Sequence, residues 1–186
     1  MNIIQAQNPF FEKYSTPHGT IPFDKIKNEH YEPAIREGIN RHDAEIEAII
    51  NNPAAPTFAN TIAAYEKSGR LLNHVSTVFG NLLSAETNDD MQELAKTIMP
   101  LLSEHSNNVT LNEKLFARIK TVYQQKEQLN LTGEQTKLLE DIYNSFIRSG
   151  ANLEGEDKEK YRALTTELSL LTLQFGENNL KETNDY

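Results

Sequence analysis

Residues 160–175 read KYRALTTELSLLTLQF. Apolar side chains fall at Tyr161, Leu164, Leu168, Leu171 and Phe175, with gaps that alternate three and four. A strand would repeat every two residues, so this spacing predicts an amphipathic helix. The stripe is its expected buried face, with Leu168 and Phe175 in the core. Gly176 falls inside the pattern and Leu180 carries it further. No glycine C-cap, proline stop or basic last turn closes the element. It therefore reads as part of something longer.

The same period recurs through most of the chain. A fifth helix is predicted from Thr132, with Leu138, Leu139, Ile142, Tyr143, Phe146 and Ile147 inward. A fourth spans about Asn112 to Leu129 around Leu115, Ile119 and Val122. Asn88, Asp89 and Asp90 open a third, since side-chain oxygens and negative charge suit a helix N-terminus. It carries Met91, Leu94, Ile98 and Leu102, and Pro100 should kink or end it near Met99. Thr57 is the expected N-cap of a long second helix holding Phe58, Ile62, Tyr65, Leu72, Phe79 and Leu83 on one face. Gly69 lies inside it and implies close approach of a neighbour. The first helix starts at Pro33, a residue suited to the first helical position, and sets Ile35, Ile39, His42, Ile46 and Ile49 inward. Residues 1–32 form an irregular N-terminal arm, broken by Pro9, Pro17, Gly19 and Pro22 and anchored by Phe10, Phe11, Tyr14, Ile21, Phe23 and Ile26. Residues 33–186 form the helical domain. The fold class is all-α: an antiparallel bundle of about six helices.

Composition narrows the function. The 186 residues carry 27 acidic and 18 basic side chains, a net charge of −9. That disfavours nucleic acid, which needs clustered Lys and Arg. No stretch reaches the apolar length of a membrane span. The chain has no cysteine, so disulfides, thiolate metal sites and a Cys nucleophile are out. Residues 1–7 are too short for a signal peptide and lack a basic start. The expected compartment is the cytoplasm, with the periplasm as the alternative should residues 1–7 be the remnant of a leader.

None of the five histidines, His18, His30, His42, His74 and His105, has a Glu three residues before it or another His four residues after it. This excludes a Glu-x-x-His di-iron pattern and an H-E-x-x-H zinc helix. There is no P-loop and no G-x-S-x-G. His42 lies on an apolar seam and reads as a ring packed at the bundle edge. His105, in EHSNN, reads as a helix end. Glu154, Glu156, Asp157 and Glu159 read as a solvated helix N-terminus. No catalytic, cofactor-binding or metal-binding residue is assigned to this chain. The exposed-interface expectation rests on Leu170, Leu173, Leu71, Val75 and Val78, which lie off the main seams of two long helices and predict an apolar patch or self-association.

Five stretches, in order, carry a resemblance: PFDKIKNEHYEPAI (22–35), EIEAIINNPAAPTFANTI (45–62), YEKSGRLLNHVSTVFGNL (65–82), LNEKLFARI (111–119) and RSGANLEGEDKEKYRALTTELSLLTLQFGENN (148–179). Together they resemble the N-terminal region of the thimet-oligopeptidase family of zinc metallopeptidases, and its peptidyl-dipeptidase members more than its oligopeptidase members. The resemblance implies a larger parent. In it, metal-bound water, deprotonated by a glutamate between His ligands, attacks the scissile carbonyl, and a channel admits short peptides. A peptidyl-dipeptidase would release dipeptides from their C-termini. The H-E-x-x-H motif and its zinc are implied for a catalytic C-terminal region of the parent, with none of the ligands in these residues. This chain would be a channel wall, inactive alone. The competing reading is a self-contained helical adaptor without enzymatic activity.

Overall fold

A computed structural model describes residues 8–184, and among these every regular element is helical. The α-helices are α1 (Asn28–Ile50), α2 (Ala63–Lys67), α3 (Arg70–Ala85), α4 (Asp89–Thr110), α5 (Glu113–Gln124), α6 (Gly133–Arg148) and α7 (Gly155–Asn184). The all-α class is as read from the sequence. The chain divides into two compact units. The first draws its described residues from Met1–His42, Gly69–Pro100 and Leu170–Tyr186, the second from Asp43–Ser68 and Leu101–Ser169.

In the first unit the arm is stitched to the helices. Asn8 is buried; its amide donates to the His30 carbonyl at 2.8 Å, while its side-chain oxygen accepts from the Phe10 backbone N–H. That seats Phe10 against Tyr31 and His74, with ring centroids 5.4 and 6.0 Å away. Tyr31 in turn meets Phe79 edge-on at 5.2 Å. Phe23, by contrast, stays exposed. Gly38 lets α1 close on α3: a Cβ there would sit 2.8 Å from the Leu72 Cα.

The second unit has a continuous apolar core of Ile46, Ile49, Ile62, Val109, Leu115, Phe116, Ile119, Val122, Leu139, Ile142 and Phe146. Two of its helices, α5 and α6, begin where the sequence places their starts, each at a side-chain cap. Asn112 accepts from the Leu115 N–H, and Thr132 forms a reciprocal capping box with Gln135. Thr57 forms another with Asn60, opening a π turn at Phe58–Ile62.

Several expectations are corrected. Helix α1 begins at Asn28 rather than Pro33; burial of Tyr31 and Ala34 supports the added turn, and packing outweighs the N–H that Pro33 lacks. Helix α4 runs through Pro100 to Thr110 instead of ending near Met99. Ile98 before the proline and His105, Asn107 and Val109 after it are all buried, so each stretch packs within its own unit. Helix α5 ends at Gln124, and only a 3-10 turn, Lys126–Gln128, follows. The long second helix is two: Gly69 adopts φ +68°, the left-handed region, and caps a fresh start at Arg70. Val75 and Val78 are 0% and 2% exposed rather than forming a patch, because they lie at three- and four-residue spacing beside Leu72 and Phe79 and share their buried face. Leu71 and Leu173 are half-buried, and of that set only Leu170 is exposed.

The largest correction concerns α7. Leu164, Leu168, Leu171 and Phe175 are 63%, 61%, 54% and 74% exposed. Four of the five residues of the predicted core stripe face out, Tyr161 alone being half-buried, and Leu168 and Phe175 are not core. The packed side of α7 instead carries half-buried Tyr161, Arg162, Thr165, Thr166, Ser169, Leu173, Glu177 and Leu180.

Candidate functional site

The residues with the greatest chemical range are the histidines, and His42, His74 and His105 are held by neighbouring elements. His42 is half-buried, its ring lying 3.1 Å from where a Cβ on Gly69 would project. Gly69 is thus required twice, by its positive φ and by this ring. His105 sits within α4, not at a helix end, because that helix continues past it. Its Nδ1 lies 3.3 Å from the Asp43 carboxylate on α1. Burial pushes the imidazole pKa down, and the Asp43 charge pulls it partly back up. The burial effect is the larger, which favours the neutral ring. His74 accepts from or donates to the Tyr14 hydroxyl at 2.8 Å, tying the arm to α3. Burial raises the pKa of that tyrosine.

Two members of the acidic run at the start of α7, Glu156 and Asp157, are engaged in ion pairs. Lys160 approaches Glu156 and Asp157 at 3.8 and 3.6 Å. The neighbouring Lys158 reaches Glu113 at 2.7 Å, and that hydrogen bond holds the Glu113 carboxyl below its ordinary pKa.

Sequence reading missed Arg118. From α5 its guanidinium donates to the carbonyls of Asn52 and Ala54 at 3.1 and 3.3 Å and to the Asn60 side-chain oxygen at 3.4 Å. It thereby fixes the NNPAAPT loop between α1 and the Phe58–Ile62 turn. Two of the stretches that carry the family resemblance, LFARI and NNPAAPTFANTI, are joined by this one side chain. The signal was an arginine set among Leu115, Phe116 and Ile119 opposite a loop rich in free carbonyls. Beside the clamp lies an open cleft of about 390 Å3, bordered by Glu45, Asn52, Asn60, Lys67 and Ser68.

Also missed was the polar pairing under α7. Asn107, on α4 and 4% exposed, donates to the Thr165 hydroxyl at 2.8 Å, and that hydroxyl lies 3.1 Å from the Asn107 carbonyl oxygen. Arg162 adds a bond to Asn108 at 2.7 Å. These bonds select the threonine face of α7 for packing.

Among the described residues no three His, Asp or Glu side chains converge to hold a metal ion. The zinc implied by the resemblance finds no matching donor set among the described residues. No helix among them is long and apolar enough to cross a membrane.

Comparison with known proteins gives a consistent picture. No protein-family model matches the chain. It is 42% identical over 175 residues to a dipeptidyl carboxypeptidase of Salmonella typhimurium and 43% identical over 175 residues to that of Escherichia coli, covering 94% of this chain and 26% of each relative. It is 26% identical over 176 residues to an oligopeptidase A of Salmonella typhimurium, covering 95% of this chain and 25% of the relative. The chain spans about a quarter of the length of the curated relatives it matches.

Proposed function

Because the chain belongs, over 94% of its length, to the thimet-oligopeptidase family, we propose that it is the N-terminal wall domain of a longer zinc-dependent peptidyl-dipeptidase. In this reading the full-length enzyme removes dipeptides from the free C-termini of short peptides in the cytoplasm. This domain, the N-terminal arm with the helical body that begins at Asn28, borders the substrate channel and excludes folded proteins by size. Its partners are short peptides and the catalytic region of the same chain. No catalytic group, metal or cofactor resides in these residues.

The observation that supports the reading is identity above 40% to dipeptidyl carboxypeptidases across nearly the whole chain. A wall requires rigid local structure, and the Arg118 clamp and the Gly69–His42 contact supply it. The test is an assay of the full-length protein on short peptides with free and with amidated C-termini. Release of C-terminal dipeptides from the free form alone, abolished by chelator and restored by zinc, is the expected result. Absence of chelator-sensitive cleavage overturns the proposal. Cleavage by the 186-residue chain alone overturns the assignment of a non-catalytic wall.

A further inference from the structure

In the first unit, residues 9–30 close around a cleft of about 250 Å3. Its basic lining is Lys13, Lys25, Lys27 and His30. Among the described residues Glu12 is the one acidic side chain that lines it. Three lysines against one glutamate leave a local excess of positive charge, in a chain whose net charge is −9. None of the three lysines forms an ion pair among the described residues. Like charges brought together without a partner repel, and a concave surface concentrates their field.

The backbone that carries these groups is held by specific bonds on both sides of the cleft. The Asn8 amide donates to the His30 carbonyl, and the Tyr14 hydroxyl meets the His74 ring, each at 2.8 Å. These contacts fix the stretch around Lys13. Opposite it, the Lys25 N–H closes a turn onto the Pro22 carbonyl at 2.9 Å. The Lys27 N–H donates to His30 Nδ1 at 3.0 Å. That bond makes Nδ1 the acceptor, so the neutral ring carries its proton on Nε2. The Glu29 carboxylate lies 4.0 Å from Nε2, beyond hydrogen-bond distance. His30 therefore brings an N–H donor to a lining that already holds three ammonium groups and the Ser15 hydroxyl. Pro9 and Pro22 stiffen the walls, which lowers the cost of ordering them around a ligand.

Lysine supplies compact point charges and lacks the planar fork by which arginine grips a carboxylate. Among the described residues no arginine lines the cleft. Point charges on stiff walls suit a compact anion of high charge density. Phosphate fits: it carries nearly two negative charges at neutral pH and strong acceptor oxygens. The cleft volume also lies below the range of about 300–1,000 Å3 usual for organic ligands. We propose that this cleft of the N-terminal arm binds a small phosphate dianion, free or as a monoester, held between Lys13 on one side and Lys25 and Lys27 on the other. Bound there, the anion neutralises the lysines and ties together the two ends of the loop that separates them. The site stands independently of the peptidase reading.

The test uses the full-length protein. Titration calorimetry compares sodium phosphate and glycerol phosphate with sodium acetate at matched ionic strength. The site predicts saturable phosphate binding, with the monoanion acetate weaker by about tenfold or more. Lys13→Gln, Lys25→Gln and Lys27→Gln should each weaken phosphate binding about two- to fivefold, and the triple variant by more than about tenfold. Glu12→Gln should tighten it about twofold, because the one opposing charge is gone. Lys120→Gln on α5 is the control and should change nothing. Glycerol phosphate binding at least as tightly as phosphate identifies a monoester as the ligand; weaker binding identifies the free anion. In the unmodified protein, phosphate should slow acetylation of Lys13, Lys25 and Lys27 by an N-hydroxysuccinimide ester while leaving Lys120 unchanged. That measurement reads the site even where a variant fails to fold. Absence of saturable phosphate binding overturns the proposal. So do acetate binding equal to phosphate, full binding by the triple variant, and acetylation of the three lysines that phosphate does not slow.

Discussion

The Thr165 hydroxyl accepts a hydrogen bond from the buried Asn107 amide at 2.8 Å, and it can donate its own proton to the Tyr161 or Arg162 carbonyl at 3.1 or 3.0 Å. The two partners are therefore unequal. Thr165 keeps a backbone partner if Asn107 is lost, whereas Asn107 loses the hydroxyl that its side chain bonds if Thr165 is lost.

Thr165→Val should cost about 1–3 kcal/mol, the penalty for orphaning a buried polar group. Asn107→Leu should cost less, because the hydroxyl left behind remains bonded to the helix. Urea denaturation midpoints of the two variants test the asymmetry; equal losses would mean the pair acts only by packing.

Gly38 and Gly80 should respond to alanine with opposite signs. A Cβ at Gly38 meets the Leu72 backbone at 2.8 Å, whereas one at Gly80 meets nothing within 4 Å. Gly38→Ala should destabilise by about 1–3 kcal/mol through overpacking. Gly80→Ala, inside α3, should stabilise by roughly 0.5–1 kcal/mol through helix propensity. Thermal midpoints of the two variants decide it.

Helix existence was legible because spacing and caps are local. Thr57 caps as expected, the helices expected from about Asn112 and from Thr132 begin there, and the inward residues Leu115, Ile119 and Val122 of α5 and Leu139, Ile142 and Phe146 of α6 follow from period alone. Which face of a helix packs is not local. Period placed Leu164, Leu168, Leu171 and Phe175 on one side of α7 but not toward the protein, since the face chosen was the one that satisfies Asn107. The breaks at Gly69 and the continuity through Pro100 were likewise decided by partners distant in sequence: the His42 ring in one case, burial of Ile98 and His105 in the other. Arg118 escaped notice because a clamp on carbonyls has no side-chain signature in the loop it holds.

The His105 pKa is lowered by burial, with Asp43 opposing. A group whose folded pKa lies below its unfolded value contributes stability that is fully present above the unfolded pKa, near 6.5, and lost as pH falls through the folded one. Stability should hold above neutrality and decline on acidification below about 6.5. Asp43→Asn removes the charge that raises the folded pKa, so the decline should become steeper. His105→Leu should flatten that component. Denaturation midpoints at a series of pH values between neutral and mildly acidic check the order; a shallower slope in Asp43→Asn would contradict it.

Leu168 and Leu115 separate a leucine in water from a leucine in the core. Leu115 is fully buried in the second unit's core, so Leu115→Ala should cost about 2–5 kcal/mol in the 186-residue chain. Leu168 is largely exposed, so Leu168→Ala in the same chain should stay within about 0.5 kcal/mol of the parent, as surface substitutions do. Paired denaturation curves measure the difference. A Leu168→Ala cost as large as that of Leu115→Ala would mean α7 buries this leucine within the chain after all.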